Sequence, residues 1–257
     1  MLKMERISSR KNGYIAYLRQ LASDGALRRD SGETVLDGEK LLGEALASSC
    51  EVTSLLAAEG SLPGRVPEGA RFYAAPPELV AYASPVKNSP GPVFTVRLPE
   101  RRAPERVESA VVLESVQDPG NVGTVIRTAN ALGVDAVILA GDCADTTSPR
   151  CVRATMGARP SVRALWRQTC PALRGCSGAG TCSLTARLPR GGRVSISAPR
   201  SFLRAAVAIG NEGHGLSPEL LGLCTGRVII PMAPGSESLN AAVAAAIVMW
   251  ELSGRRL

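Results

Sequence analysis

The sequence predicts an α/β protein in which a small N-terminal α/β region precedes a larger region built on a parallel sheet. The C-terminal half contains nearly continuous apolar runs, such as AVVL at 110–113 and AVIL at 136–139, which are typical of strands covered by helices on both faces. Prolines and a glycine cluster between residues 85 and 104 and interrupt the patterning. We therefore place a linker near residues 98–108.

Length and composition are those of an ordinary globular protein. The 257 residues are 45% hydrophobic and 21% charged, which is enough material for two domains. The N-terminal sequence MLKMERISSRKNGY has no apolar leader, and the longest apolar run, at 241–250, is shorter than the about 20 residues that cross a bilayer. We expect a cytoplasmic protein with no membrane partner.

In the N-terminal region, two amphipathic segments predict helices and three short apolar stretches predict strands. The helices are expected at Tyr14–Leu27 and Asp37–Ala47, and the strands at Val52–Leu56, Arg71–Ala74 and Val93–Val96. Together they predict a small α/β domain over residues 1–100.

In the C-terminal region, a strand, a glycine-containing turn, a helix and a second strand follow one another. They are expected at Ala110–Leu113, about Val122–Leu132, and Ala136–Leu139. Four further strands are expected at Ser161–Leu165, Thr181–Arg187, Ala205–Ile209 and Arg227–Ile230. Ser148-Pro149 and Ser217-Pro218 each resemble an N-cap followed by proline at the first helical position.

The seven cysteines raise the question of a metal site. None forms a CxxC pair, and the chain has one histidine, so a zinc site would need unfavourable spacings. We expect no metal and reduced thiols that pack as small apolar residues.

The net charge of +7 is unevenly distributed. Eleven arginines and no acidic residue lie between Arg150 and Arg204. This pattern favours contact with the phosphates of RNA, although a solvated basic face would give the same composition.

The first candidate motif is SVQDPGNVGTVIRTANALGVDAVIL at 115–139. The sequence DPGN, which ends at Asn121, is typical of a turn after a strand. We expect the helix to begin at Gly123, so that Arg127 lies in its second turn. N–H groups at a helix start can hold a phosphate or ribose, and Arg127 would add a permanently charged donor. Taken alone, a capped helix with a surface arginine is the simpler interpretation.

The second candidate motif is AIGNEGHGLSPEL at 208–220. Gly210, Gly213 and Gly215 follow an apolar strand and let the backbone turn sharply. Glu212 falls at the carboxyl end of this strand, where open α/β sheets bind ligands. The spacing is not GxGxxG, so a dinucleotide site is not favoured. His214 is a candidate general base, but a solvent-facing loop histidine is the simpler interpretation.

The third candidate motif is VIIPMAPGSESLNAAVAAAIVMWEL at 228–252. A buried strand ends at Pro231, and a loop leads to a helix expected over about Ser238–Leu252. Ser238 is well placed as its N-cap, and Asn240 is a polar side chain at the start of an apolar helix. Because this helix is apolar almost all round, we expect it to be buried in the core or against another subunit.

Three segments closely resemble, in the same order, the three motifs of the SpoU (TrmH-like) branch of the SPOUT methyltransferases. They are DPGNVGTVIR, IGNEGHGLS and IIPMAPGSESLN. The resemblance covers roughly Val107–Leu257. SSRKN and VLDGEKLLGEAL more loosely resemble the small substrate-binding domain that precedes the catalytic domain in many relatives. The resemblance implies an RNA substrate-binding domain at 1–100 and a methyltransferase domain at 107–257.

The resemblance further implies a deep trefoil knot, S-adenosyl-L-methionine bent into that knot, and a homodimer whose active sites combine residues of both chains. Periodicity cannot predict a knot, because knots are nearly absent among folds. The functional positions of the family carry over to Asn121, Arg127, Glu212, Ser238 and Asn240. The cofactor positions carry over to Gly210, Ile230, Met232 and Leu239. Ala241-Ala242 is a departure, since relatives often have Val-Ser there.

The implied reaction is methylation of a ribose 2′-hydroxyl in RNA. The enzyme must align the hydroxyl with an electrophilic methyl group and remove a proton. Arginine stays protonated in proteins and is a poor base, so we expect Arg127 to stabilise the forming alkoxide and the adjacent phosphate. The proton would leave through phosphate, water or Glu212, and the other three functional residues would orient the ribose and the loop.

The RNA species is the least specified part of the prediction. The extra N-terminal domain favours ribosomal RNA of the 23S class, because minimal relatives that act on transfer RNA often lack it. Methylation of transfer RNA is one alternative, and an inactive RNA-binding assembly factor is another. The intact Arg127, Glu212 and Asn240 argue against the inactive protein.

Overall fold

The structure is a computed structural model. It describes residues 4–48, 50–61, 64, 69–87, 89, 91–99, 107, 109–157, 164–167, 183–187, 205–224, 226–235 and 238–252. The chain divides into two compact units. The first unit comprises Met1–Glu100 and Asp145–Pro160, and the second comprises Arg101–Ala144 and Ser161–Leu257.

The first unit contains a mixed five-stranded sheet in the order β1-β4-β3-β5-β2. The strands are β1 (Met4–Arg6), β2 (Glu33–Asp37), β3 (Glu51–Ala58), β4 (Arg71–Ala75) and β5 (Val93–Arg97). β1 and β3 run parallel to β4, whereas β5 is antiparallel to both β2 and β3. The first four helices of this unit are α1 (Gly13–Ser23), α2 (Gly25–Ser31), α3 (Glu39–Leu46) and α4 (Pro77–Ala83). The three expected strands are present, while β1, β2 and α4 were not predicted.

The predicted helix at Tyr14–Leu27 is two helices that meet at Asp24. The Asp24 carboxylate accepts hydrogen bonds from the N–H groups of Ala26 at 2.8 Å and Leu27 at 3.1 Å and thereby caps α2. The bonds from Leu27 and Ala26 lower the pKa of this carboxyl. The predicted helix at Asp37–Ala47 begins two residues later, because Asp37 ends strand β2.

One face of α1 forms the centre of the core in the first unit. Ile15, Leu18 and Leu21 recur every three residues and are fully buried. They pack with Val35 of β2 and Val80 of α4 in one hydrophobic cluster. The amphipathic pattern therefore places α1 on the sheet.

The segment Asp145–Pro160 belongs to the first unit, although it follows a strand of the second. It contains α6 (Pro149–Thr155), whose Val152 is buried in a core cluster of the first unit. Asp145 pairs with the buried Arg28 at 2.8 Å, and Arg153 pairs with Asp37 at 2.9 Å. The expected ranges 1–100 and 107–257 put this segment in the second range, because the periodicity of a helix does not specify which sheet the helix packs against.

The second unit contains a six-stranded sheet in the order β11-β9-β10-β6-β7-β8. All neighbouring strands are parallel, as predicted. The strands are β6 (Ala110–Glu114), β7 (Ala136–Ala140), β8 (Ala164–Arg167), β9 (Ser183–Arg187), β10 (Ala205–Ile209) and β11 (Gly226–Val228). The helices described in this unit are α5 (Pro119–Ala131), α7 (Pro218–Leu223) and α8 (Ala241–Leu252). None of the helices that the structure describes is long and apolar enough to span a membrane.

Two helix starts in the second unit differ from the predictions. Helix α5 begins at Pro119, because Asp118 caps it by accepting from the Asn121 N–H at 2.9 Å. Arg127 therefore lies in the third turn and not in the second. Helix α8 begins at Ala241, and its capping residue is Asn240 and not Ser238. Most of the expected linker at 98–108 and most of the arginines between 150 and 204 lie outside the described residues.

Candidate active site

Three predicted site residues lie together in the second unit, one from each motif. Asn121 is in the first turn of α5, after β6, and Glu212 is in the turn after β10. Asn240 precedes α8. Because all strands of this sheet are parallel, the segments after β6 and β10 leave it at the same edge.

A chain of hydrogen bonds joins these three side chains. Asn240 donates from Nδ2 to Asn121 Oδ1 at 3.0 Å, and Asn121 donates from Nδ2 to Glu212 Oε1 at 2.7 Å. The Oδ1 of Asn240 accepts from the N–H groups of Ala242 at 2.9 Å and Val243 at 3.3 Å, so its amide can only present Nδ2 to Asn121. The helix start therefore fixes the orientation of both amides and of the carboxylate.

The loop that carries Glu212 is closed by its own backbone. Asn211 and Gly215 exchange two backbone hydrogen bonds, at 3.1 and 2.9 Å, and Gly215 has a φ of +71°. A Cβ on Gly210 would collide with the backbone of Gly215. Two of the three glycines of the second motif therefore have a structural reason: Gly215 takes a positive φ in the tight turn, and Gly210 allows the close approach of the backbone.

Asn211 and Glu114 attach this loop to β6, and neither was among the predicted site residues. Asn211 donates to the carbonyl of Ser115 at 3.0 Å. The buried Glu114 carboxylate accepts from the Ser217 N–H at 2.7 Å and from its hydroxyl at 2.6 Å. A carboxylate that directly follows the apolar run AVVL was the available signal, since a buried charge needs partners.

Two of the predicted functional residues do not join the hydrogen-bond chain. The side chain of Arg127 is exposed on α5, and no described residue gives it a hydrogen bond or an ion pair. Ser238 is also exposed. Their roles stay predictions.

The predicted cofactor positions follow two strands of the same sheet. Gly210 comes directly after β10, and the buried Ile230 lies two residues beyond β11. Leu239 is half-buried and Met232 is 37% exposed. Apolar side chains beside glycine backbone suit an adenosyl group, whose ring binds apolar surface and whose edge takes backbone hydrogen bonds. These residues therefore fit S-adenosyl-L-methionine.

Among the residues that the structure describes, no three His, Cys, Asp or Glu side chains are grouped so that they could hold a metal ion. None of the described cysteines, Cys50, Cys143, Cys151 and Cys224, is in a disulfide bond, and two of them are buried.

Comparison with known proteins places this site in a family. Residues 108–250 match the family model of the SpoU rRNA Methylase family. An uncharacterised tRNA/rRNA methyltransferase of Synechocystis is 32% identical over 95% of this chain and 92% of its own length. The 23S rRNA (guanosine(2553)-2′-O)-methyltransferase RlmP of Bacillus subtilis is 28% identical over 98% of this chain and its full length.

A solved structure extends the similarity to the whole chain. The AdoMet-bound rRNA methyltransferase from Sinorhizobium meliloti has a TM-score of 0.85 at 26% identity and covers 99% of both chains. The chain belongs to the SpoU rRNA Methylase family. It is an RNA 2′-O-ribose methyltransferase that uses S-adenosyl-L-methionine, as the resemblance of its three motifs predicted.

Proposed function

We propose that this enzyme methylates a ribose 2′-hydroxyl of ribosomal RNA, most specifically 23S rRNA, in the cytoplasm. The observation that carries the proposal is the hydrogen-bonded chain Asn240–Asn121–Glu212, which joins one residue from each of the three motifs. Similarity over the full length of a 23S rRNA 2′-O-methyltransferase supports this RNA over transfer RNA.

When bound, S-adenosyl-L-methionine supplies an electrophilic methyl group, and the chain must supply an aligned and deprotonated oxygen. Asn121 holds Glu212 in one orientation, which leaves that carboxylate able to take the hydroxyl proton directly or through water. The permanently charged Arg127 stabilises the forming alkoxide and the adjacent phosphate. Ser238 and Asn240 position the loop that borders the ribose.

Substitution of Arg127 tests this role. Arg127→Ala should abolish methyl transfer while S-adenosyl-L-methionine binding, measured by calorimetry, stays close to that of the wild type. Turnover at the wild-type rate would contradict the proposed function.

A homodimer would allow Arg127 of one chain to complete the active site of the other. The Arg127 side chain is exposed, and no hydrogen bond or ion pair joins it to Asn121 or Glu212, although the proposed chemistry needs its charge. Helix α8 carries two large apolar side chains seven residues apart, Val243 at 48% and Trp250 at 41% exposure, which share one helix face. A second copy of this chain is the proposed partner of that face, and its Arg127 the proposed completion of the site.

Mixing two inactive variants tests this arrangement. If Arg127 acts in the site of the partner, Arg127→Ala mixed with Asn240→Ala restores one active site in each mixed dimer. Half of randomly assorted dimers are mixed, so activity should return to roughly a quarter of the wild-type level. If Arg127 acts within its own chain, every site keeps a defect and the mixture stays inactive.

The remaining assignments rest on the family resemblance. The first unit serves as the RNA substrate-binding domain, and residues from 107 onward form the methyltransferase domain, with the segment 145–160 seated on the first unit. The C-terminal segment forms a trefoil knot around the cofactor, and the reaction needs no metal. Protection from proteolysis by S-adenosyl-L-methionine that is confined to the second unit would support this division.

A further inference from the structure

A cavity of about 570 Å³ lies in the first unit, apart from the methyltransferase residues. It opens at one edge of the five-stranded sheet, where β2 and β3 end and the antiparallel β5 begins, and Asp37, Ala58 and Pro92 line it there. Its volume falls within the about 300–1,000 Å³ of small-ligand sites. None of the predicted catalytic or cofactor residues contributes to its lining.

The charged lining leaves two cations unpaired. Asp37 is buried and pairs with Arg153, Nη1 to Oδ1, at 2.9 Å. Lys40 and Lys87 also line the cavity, are exposed, and have no ion-pair partner among the residues the structure describes. Glu39 is the second carboxylate at the wall. Three cations against two carboxylates leave the lining with a net charge of +1, which favours an anionic ligand.

The uncharged lining supplies an apolar wall and backbone donors. Ala57, Val86 and Pro92 provide apolar surface. No side chain caps α3 at Gly38, and the described residues give the N–H groups of Glu39 and Lys40 no acceptor. N–H groups at a helix start add to the attraction of the two lysines for a phosphate.

We propose that this cavity binds one nucleotide, with its phosphate between Lys40 and Lys87 and its base against the apolar wall. A phosphate alone would not use the apolar surface, and an apolar ligand would leave the lysines unpaired. The inference rests on the proposed function in one respect. If the enzyme acts on RNA, the nucleotide in this cavity belongs to the RNA substrate and is not the nucleotide that is methylated.

Nuclear magnetic resonance of the full chain, titrated with uridine 5′-monophosphate, tests the site directly. The amide signals of Gly38, Lys40 and Lys87 should shift, and inorganic phosphate should bind more weakly than the nucleotide. Lys87→Ala should weaken nucleotide binding about tenfold, as expected for the loss of one charge-assisted hydrogen bond. Ser61→Trp, which fills the cavity from an exposed position without changing charge, should weaken it at least about tenfold.

The matched control is Lys11→Ala, because Lys11 is an exposed lysine of the same unit outside the cavity. This variant should bind the nucleotide like the wild type. Equal weakening by Lys11→Ala and Lys87→Ala, or shifts that do not map to the cavity, would overturn the proposal.

Experiments with RNA show whether the bound nucleotide is part of the RNA substrate or a free nucleotide. They also separate a failure of this site from a failure of the proposed function. If the occupant belongs to the substrate, an RNA fragment displaces uridine monophosphate, and Lys87→Ala raises the KM for RNA about tenfold at unchanged kcat. The slope of log affinity against log salt should also fall by about 1. RNA that fails to displace the nucleotide supports a site for free nucleotides. Unchanged KM together with unchanged nucleotide binding overturns the site while methyl transfer persists.

Discussion

Asn240 donates a hydrogen bond to Asn121 across 119 positions of the chain, at 3.0 Å. The same side chain caps α8 through its other amide atom. A single residue therefore connects the start of the terminal helix to the turn that follows β6, and its two roles can be separated by substitution.

Asn240→Asp keeps an oxygen for the helix cap but loses the amide donor to Asn121. We expect an unchanged free energy of unfolding and a kcat at least about tenfold lower, since a positioning hydrogen bond is lost. Asn240→Ala loses both roles, so it should also lower the free energy of unfolding by about 1 kcal/mol. Urea unfolding and steady-state kinetics on both variants separate the roles. An Asp variant with wild-type kcat would show that the bond to Asn121 does not serve the reaction.

Gly210→Ala should disrupt the second motif. The added Cβ collides with the backbone of Gly215, so the loop must move, at a cost of about 1–3 kcal/mol of stability. We expect weaker S-adenosyl-L-methionine binding by calorimetry. The matched control is Gly222→Ala in α7, where nothing lies within 4 Å of an added Cβ. That variant should be as stable as the wild type or more stable, and equal effects of the two substitutions would argue against the close approach.

Glu114→Gln should loosen the attachment of the same loop to β6. The glutamine keeps one oxygen acceptor where the carboxylate accepts two bonds from Ser217, so we expect a loss of about 1–3 kcal/mol in the free energy of unfolding. Because the loop between Gly210 and Ser217 carries Glu212, kcat should fall as well. Ser217→Ala provides the reciprocal change and also removes the cap of α7. Additive effects in the double variant would contradict a direct interaction.

Asp145 should make the stability of the first unit depend on pH. Burial alone would raise its pKa, but hydrogen bonds from Thr147 and Arg28 outweigh burial, and the pKa lies below the ordinary 3.8. The ionised carboxylate is therefore favoured in the folded state, and its contribution is complete above about pH 5 and lost as the pH falls through the folded-state pKa.

Asp145→Asn tests this contribution because it leaves the buried Arg28 without its charge partner. We expect the free energy of unfolding at pH 7 to fall by about 3 kcal/mol relative to the wild type. Between about pH 5 and pH 3, the free energy of unfolding of the variant should then decrease less than that of the wild type. Glu59→Gln, which breaks the exposed pair with Arg6, should change stability by less than about 1 kcal/mol. An identical pH dependence of the wild type and Asp145→Asn would exclude Asp145 as the titrating group.

Features that depend on neighbouring residues could be predicted from the sequence. Ser217-Pro218 begins a helix as expected, because the serine hydroxyl caps the N–H of Leu220 at 3.1 Å. The apolar runs at 110–113 and 136–139 form parallel strands. The helix starts at Asp118 and Asn240 were placed wrongly, because several polar residues compete for each cap and only the three-dimensional structure decides between them.

Features that depend on distant residues could not be derived in this way. The hydrogen bond from Asn121 to Glu212 joins residues 91 positions apart. Contact between the motifs could therefore be expected only after all three had been recognised as one set. The packing of Asp145–Pro160 on the first unit depends on ion pairs with Arg28 and Asp37, which no local pattern indicates.

The most direct test is transfer of a labelled methyl group from S-adenosyl-L-methionine to ribosomal RNA from cells that lack this protein. After nuclease digestion, the wild-type enzyme should leave the label in a 2′-O-methylated nucleoside of 23S rRNA, and Arg127→Ala should transfer none. Label in a methylated base, or no transfer to this RNA by the wild-type enzyme, would contradict the proposed function.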